Sequence, residues 1–144
     1  MGQLIHDNEP LTRFLKPSYY AKTKNLIKPS AFDPYPKGEV SVYRIANLVD
    51  EDIWYIADNY VVPKSKDFKG FCEARADFST ELIRKQKLDV IPDTEPHELH
   101  ANIVNWIPDP TTISKDAREE AKKKWQEVVS EIILESNFVL RAGN

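Results

Sequence analysis

Ten prolines against four glycines is the feature that most narrows what this 144-residue chain can become. Proline fixes φ and carries no backbone donor, so the connections it occupies are stiff. It also lowers the entropy of the unfolded chain, which favours well-defined turns. Pro17, Pro29, Pro34 and Pro36 break RFLKPSYYAKTKNLIKPSAFDPYPKG (13–38) into short apolar pieces. PDTEP (92–96) reads as a turn and PDPTTIS (108–114) as a rigid break. What lies between must fold as short elements.

Residues 1–10 are polar and are expected to be loose, and a short helix is expected around 18–26, followed by an extended segment. EVSVYRI (39–45) alternates β-branched and aromatic residues, as a strand does. LVDEDIWYIADNYVV (48–62) has a helical pattern, with Ile53, Ile56, Ala57 and Tyr60 on one face. Asp50 is its expected N-cap, and Glu51 and Asp52 suit the positive end of the dipole. PKSKDFKG (63–70) is a charged loop. FCEARADF (71–78) is a two-faced strand: Cys72, Ala74, Ala76 and Phe78 on one side, Phe71, Glu73, Arg75 and Asp77 on the other. STELIRKQK (79–87) is a short helix capped by Ser79, LDVI (88–91) a brief strand, and LHANIVNWI (99–107) a second alternating strand. The clearest helix spans 115–136, with Ser114 as cap and a stripe through Ala117, Ala121, Trp125, Val128 or Val129, Ile132 and Ile133. FVL (138–140) adds an edge strand or a tail.

These elements predict an α+β fold: one mixed sheet of three to five strands, with a long C-terminal helix and shorter helices packed on it. The length suits a single domain, 1–144. No run approaches the ~18 apolar residues of a membrane helix, and MGQLIHDNEP lacks the basic-then-apolar order of a secretion signal. With one cysteine, Cys72, and hence no internal disulfide, the expected setting is the cytoplasm. The net charge of −3 is unevenly spread: residues 11–40 carry six basic and two acidic side chains, residues 41–110 eight basic and thirteen acidic. An acidic centre weighs against nucleic-acid binding, although the basic 13–37 stretch leaves a local patch for an acidic partner.

The stretch richest in chemistry is PHELHANIVNW (96–106). In a strand from Leu99, His100 and Asn102 share a face and His97 lies in the turn before it. Zinc needs three or four ligands in paired motifs; one cysteine and one histidine pair do not supply them, so no metal is expected. His100 has a better case as an acid–base group. Arg44, Glu73 and Arg75 sit on strands that could neighbour it, and with Asn102 they would suit a phosphorylated, nucleotide-like or carboxylate ligand. On this reading Arg44, Glu73 and His100 are catalytic, and Arg75 and Asn102 bind the ligand. The competing reading is the solvated, charge-paired face of a half-covered sheet. Cys72 falls on the apolar face of its strand and reads as core. Walker, GxGxxG and GxSxG motifs are absent, and no cofactor is implied.

The last helix carries more apolar surface near VVSEIIL (128–134) than one face can hide. Val129, Ile133 and Leu134 are therefore expected to meet a protein partner or a second copy. Association of this kind, without catalysis, is the first functional expectation; a small enzyme or ligand-binding domain is the alternative. The order SVYR, GFCEA, HANI resembles a group of small uncharacterised bacterial proteins over about 40–107. The resemblance implies a bacterial source and a single-domain fold, and carries no function.

Overall fold

The structure, a computed structural model, describes residues 4–142. Its class is α+β, with one sheet of six strands where three to five are expected. The strand that patterning does not reveal is β1 (Pro10–Leu15). Leu11, Thr12, Phe14 and Leu15 are all buried, and a strand covered on both faces loses the alternation by which strands are recognised.

Beyond β1, Pro17 opens a 3-10 turn, and the helix expected over 18–26 is a small hairpin instead: β2 (Tyr20–Ala21) against β3 (Leu26–Ile27). Asn25 at its bend has φ 52°, a left-handed conformation that ends a helix. A 3-10 turn at Pro29–Phe32 drops Ala31 and Phe32 into the core ahead of β4 (Val40–Arg44). In α1 (Asp50–Ile56) the N-cap is Val49, not Asp50, whose carboxylate instead binds Arg75. Helical turns continue beyond α1, widened over Ala57–Val61 and tightened at Val62–Lys64.

β5 (Ala74–Ser79) runs straight into α2 (Thr80–Lys85), with Ser79 Oγ accepting from the Leu82 N–H. β6 (Asp89–Pro92) and β7 (His100–Val104) pair around the PDTEP turn. α3 (Arg118–Glu135) starts later than its pattern suggests, because 115–117 form a turn on the Ser114 hydroxyl. β8 (Asn137–Leu140) is an edge strand.

Strand order is β6-β7-β4-β1-β5-β8, and every pairing is antiparallel. Alternation then assigns the faces. One face, with Leu15, Val42, Ala76, Phe78 and Ile103, packs beneath α2, α3 and the 29–32 turn, where Trp125, Val129 and Ile132 close the core. The other carries Phe14 and Tyr43 under Ile53, Trp54, Ile56 and Phe68. Of residues 1–10, expected to be loose, 1–3 lie outside the described residues; in the rest Ile5 is buried and Glu9 is paired with Arg44. No helix among the described residues is long and apolar enough to cross a membrane.

Candidate functional site

Register decides what HANIV can do. β7 runs against β4 with Tyr43 opposite His100 and Ser41 opposite Asn102, so all four side chains share one face. The His100 ring leans diagonally and brings Nε2 to 2.6 Å from Ser41 Oγ. Its Nδ1 lies 2.8 Å from the Asp93 carbonyl oxygen. A carbonyl only accepts, so the neutral ring carries its proton on Nδ1 and leaves Nε2 to accept from the Ser41 hydroxyl.

The PDTEP turn folds Asp93 back over β7, where its N–H donates to the His100 carbonyl at 3.0 Å. The Asp93 carboxylate stands 3.8 Å from Nδ1 and accepts from Asn102 Nδ2 at 3.2 Å. A relay from Ser41 through His100 to Asp93 results, with Asn102 steadying its far end. His100 is buried while Ser41 is only half-buried, so the hydroxyl end faces outward. The Tyr43 ring stands edge-on to His100 at 5.1 Å, and burial pushes its phenol up to about 12.

The serine–histidine pair lines a cleft of about 630 Å³ bounded by the sheet, the 17–19 turn and the turns of 61–68. A second lobe of about 380 Å³ continues from Ser41 and His100 towards Pro34–Glu39. The larger lobe is walled by the rings of Tyr19, Tyr60 and Phe68 and by Arg13, Lys16, Lys37 and Lys64, with Glu95 as its acid. Asp33 and Glu39 make the smaller lobe less positive.

Arg13 is built into this wall. The β1–β4 ladder pairs Leu11 with Arg44 and Thr12 with Tyr43. Arg13 follows, and its guanidinium donates to the Ser41 and Ala31 carbonyls, both at 2.8 Å, so it fixes the backbone that carries the serine. Burial lowers its pKa and Tyr19 opposes the shift. The Lys16 ammonium lies 3.1 Å from Asp67 and 4.7 Å from the Tyr19 ring centre. Burial works against its charge, but Asp67 and Tyr19 prevail and raise its pKa. Among the described residues, Lys37 and Lys64 have no ion-pair or hydrogen-bond partner for their ammonium groups.

Of the residues singled out from sequence, His100 and Asn102 meet here and the others do not. Alternation puts Arg44 with Val40 and Val42 on the opposite face from His100, and its guanidinium grips Glu9 at 2.7 and 3.0 Å. The predicted convergence of Arg44 and His100 on one pocket is therefore overturned. Glu73 binds the Tyr20 hydroxyl at 2.8 Å and Lys22 at 3.0 Å; these two partners hold its pKa down, and they draw the carboxylate to the hairpin. Arg75 shares the face of His100 but is buried beneath Trp54, bonded to Asp50 and Asp77, with Nη1 lacking a hydrogen-bond partner. It is structural.

Ser41 is the residue of this cleft that the sequence alone does not single out, although it stands within the SVYR strand. The same-face pairs Ser41/Tyr43 and His100/Asn102 were the available signal, but without register they could not be joined. No group of three or more potential metal ligands occurs among the described residues. No family model, no curated protein and no solved structure matches the chain.

The residues expected to mediate association divide. Val129 is buried against the sheet and Ile133 is partly covered. Leu134 is 76% exposed. The apparent excess of apolar surface is mostly taken up inside the monomer, because α3 packs against both the sheet and the 29–32 turn.

Proposed function

We propose that the protein binds a phosphorylated, ring-bearing, nucleotide-like small molecule in the cleft over β4 and β7. The observation that carries this reading is the meeting of unpartnered Lys37 and Lys64 with the Tyr19, Tyr60 and Phe68 rings around the Ser41–His100 floor. Lysine ammoniums act as point charges towards phosphate oxygens, and aromatic walls take the face or edge of a planar ring. A volume of about 630 Å³ falls within the usual range for small-molecule sites, roughly 300–1,000 Å³. The setting that suits this reading is the cytoplasm of a bacterium.

The test is amide NMR of the full chain titrated with the four ribonucleoside monophosphates, inorganic phosphate and pyrophosphate. Shifts clustered at Tyr19, Ser41, Tyr60 and Lys64, and weakened in a Lys37→Ala/Lys64→Ala variant, are expected for at least one ligand. A panel that moves none of these amides would reject the reading. A second reading, association through the end of α3, is supported by the exposure of Leu134. It predicts a concentration-dependent sedimentation coefficient that Leu134→Glu abolishes; a single monomeric species at all concentrations would remove self-association.

A further inference from the structure

We propose that Ser41 is a nucleophile towards phosphorus, with His100 as its base, and that the cleft cleaves phosphodiesters of ring-bearing alcohols. The inference rests on the cleft reading above and adds a reaction to it.

Three observations converge. The Ser41–His100 contact of 2.6 Å is at the short end for a hydroxyl donor, and the proton count on the ring gives it the right direction. A structural serine could make that bond from within the core, but this one lines both lobes of the cleft. Second, both neighbours of the reacting pair are held. Arg13 pins the Ser41 carbonyl, and Asp93 holds His100 twice, its carbonyl accepting from the imidazole Nδ1–H and its N–H donating to the His100 backbone carbonyl. Fixed geometry of this kind is what lets a serine–histidine pair act as nucleophile and base.

Third, the charge around the serine suits phosphorus better than a carboxylic ester. Arg13, Lys16, Lys37 and Lys64 surround the larger lobe against Glu95. A phosphodiester brings one negative charge and spreads more over its equatorial oxygens as the bond breaks, which cationic walls stabilise. A neutral ester would bring no charge to Lys37 and Lys64, whose ammonium groups have no partner among the described residues.

The chemistry balances with water as the only co-reactant. Ser41 Oγ attacks phosphorus as its proton passes to His100 Nε2. The Oγ–P bond forms, the P–O bond to one alcohol breaks, and that oxygen leaves with the bonding pair and takes the proton from His100. A water then gives a proton to His100 and attacks phosphorus; the P–Oγ bond breaks and Ser41 recovers the proton. The products are one alcohol and one phosphomonoester. Asp93 and Asn102 are positioning residues, acting through the ring.

The experiment uses the full chain and two probes: bis(4-nitrophenyl) phosphate for turnover, and a fluorophosphonate that traps activated serines as a stable adduct read by peptide mass spectrometry. Wild type is expected to release 4-nitrophenol and to carry the adduct on Ser41. Ser41→Ala is expected to lose both, and His100→Gln to slow labelling by at least about a hundredfold, the lower end for a lost general base. Thermal melts of both variants, within a few degrees of wild type, separate loss of chemistry from loss of fold. If both unfold, Asn102→Ala is the fallback: a hundredfold slower labelling in a folded protein supports the relay, and an unchanged rate overturns it. Labelling absent from wild type, or as fast in folded His100→Gln, overturns the proposal and leaves the ligand shifts of the NMR titration intact. Turnover of 4-nitrophenyl acetate with none of the diester would overturn the assignment to phosphorus.

Discussion

Replacing Arg13 with methionine tests whether the serine is held by a structural cation. Methionine keeps most of the length and apolar stem but removes two hydrogen bonds from a charged donor, those to the Ala31 and Ser41 carbonyls at 2.8 Å. Hydrogen bonds involving a charged group contribute about 1.5–3 kcal/mol each. Arg13 is partly rather than fully buried, so water can reach one of the abandoned carbonyls, and the expected loss is about 3–4 kcal/mol. At about 2–4 °C per kcal/mol for a chain of this size, the melting point falls by about 10 °C. Arg13→Lys keeps the charge but not the fork, satisfies one carbonyl, and is expected to lose about half as much. Urea melts at equal protein concentration give the numbers, with a constant m-value showing that the comparison is sound. A loss below about 1 kcal/mol for Arg13→Met would mean that both carbonyls are hydrated once the guanidinium is gone, and that Arg13 does not anchor β4.

Glu9 is expected to make stability acid-sensitive. Burial works against its charge, but hydrogen bonds from Arg44 and the His6 N–H outweigh this and hold its pKa below the ordinary 4.5. Its contribution is present above that value and disappears as pH falls through the lower, folded one. Glu9→Gln is therefore less stable than wild type at pH 7, with the gap closing below about pH 4.5 in chemical melts; a gap that does not change with pH would refute the assignment. Arg75→Met, which fills the space under Trp54, is expected to cost about 2 kcal/mol: exposed Asp50 rehydrates and the unpartnered Nη1 is removed, but the mostly covered Asp77 carboxylate loses its cation. Arg75→Ala leaves a hole and is expected to cost about 3 kcal/mol or more, measured in the same melts. Cys72 is fully buried and burial pushes its thiol up to about 11, so a thiol reagent at pH 8 should react at the rate of unfolding and at once in denaturant; fast native reaction would contradict that burial.

The sequence was most legible where one face of an element meets water. β4, α1, β5, α2, β7 and α3 all lie within a few residues of where patterning places them. It was least legible where burial is two-sided or where loops compete. β1 is covered above and below, so PLTRFL has no alternation to read. The 18–26 stretch has a helical composition, but Pro17 and left-handed Asn25 bound a hairpin that buries Tyr20 and Ile27 together. The site was half legible for a related reason. Two-residue periodicity put His100 and Asn102 on one face, yet whether that face meets Ser41 or Arg44 depends on strand order and on a one-residue choice of register. Arg44 is the more chemically suggestive side chain and lies on the wrong side of the sheet.

The place of β1 has a consequence for how the chain is made. It precedes every other strand of the sheet in chain order, yet it lies between β4 and β5, and its partners reach as far as Ser79. Until those residues have been synthesised, Leu11 and Phe14 have nowhere to go. The strands on either side form two groups, β6-β7-β4 and β5-β8, which touch in the sheet only through β1. The serine of the cleft belongs to the first group, and the arginine that fixes its carbonyl belongs to β1. Anything that competes for that segment during synthesis, a chaperone or a stray edge strand, would thus leave two half-sheets and a serine whose carbonyl is unanchored, so the floor of the cleft is complete only once β1 is seated between them.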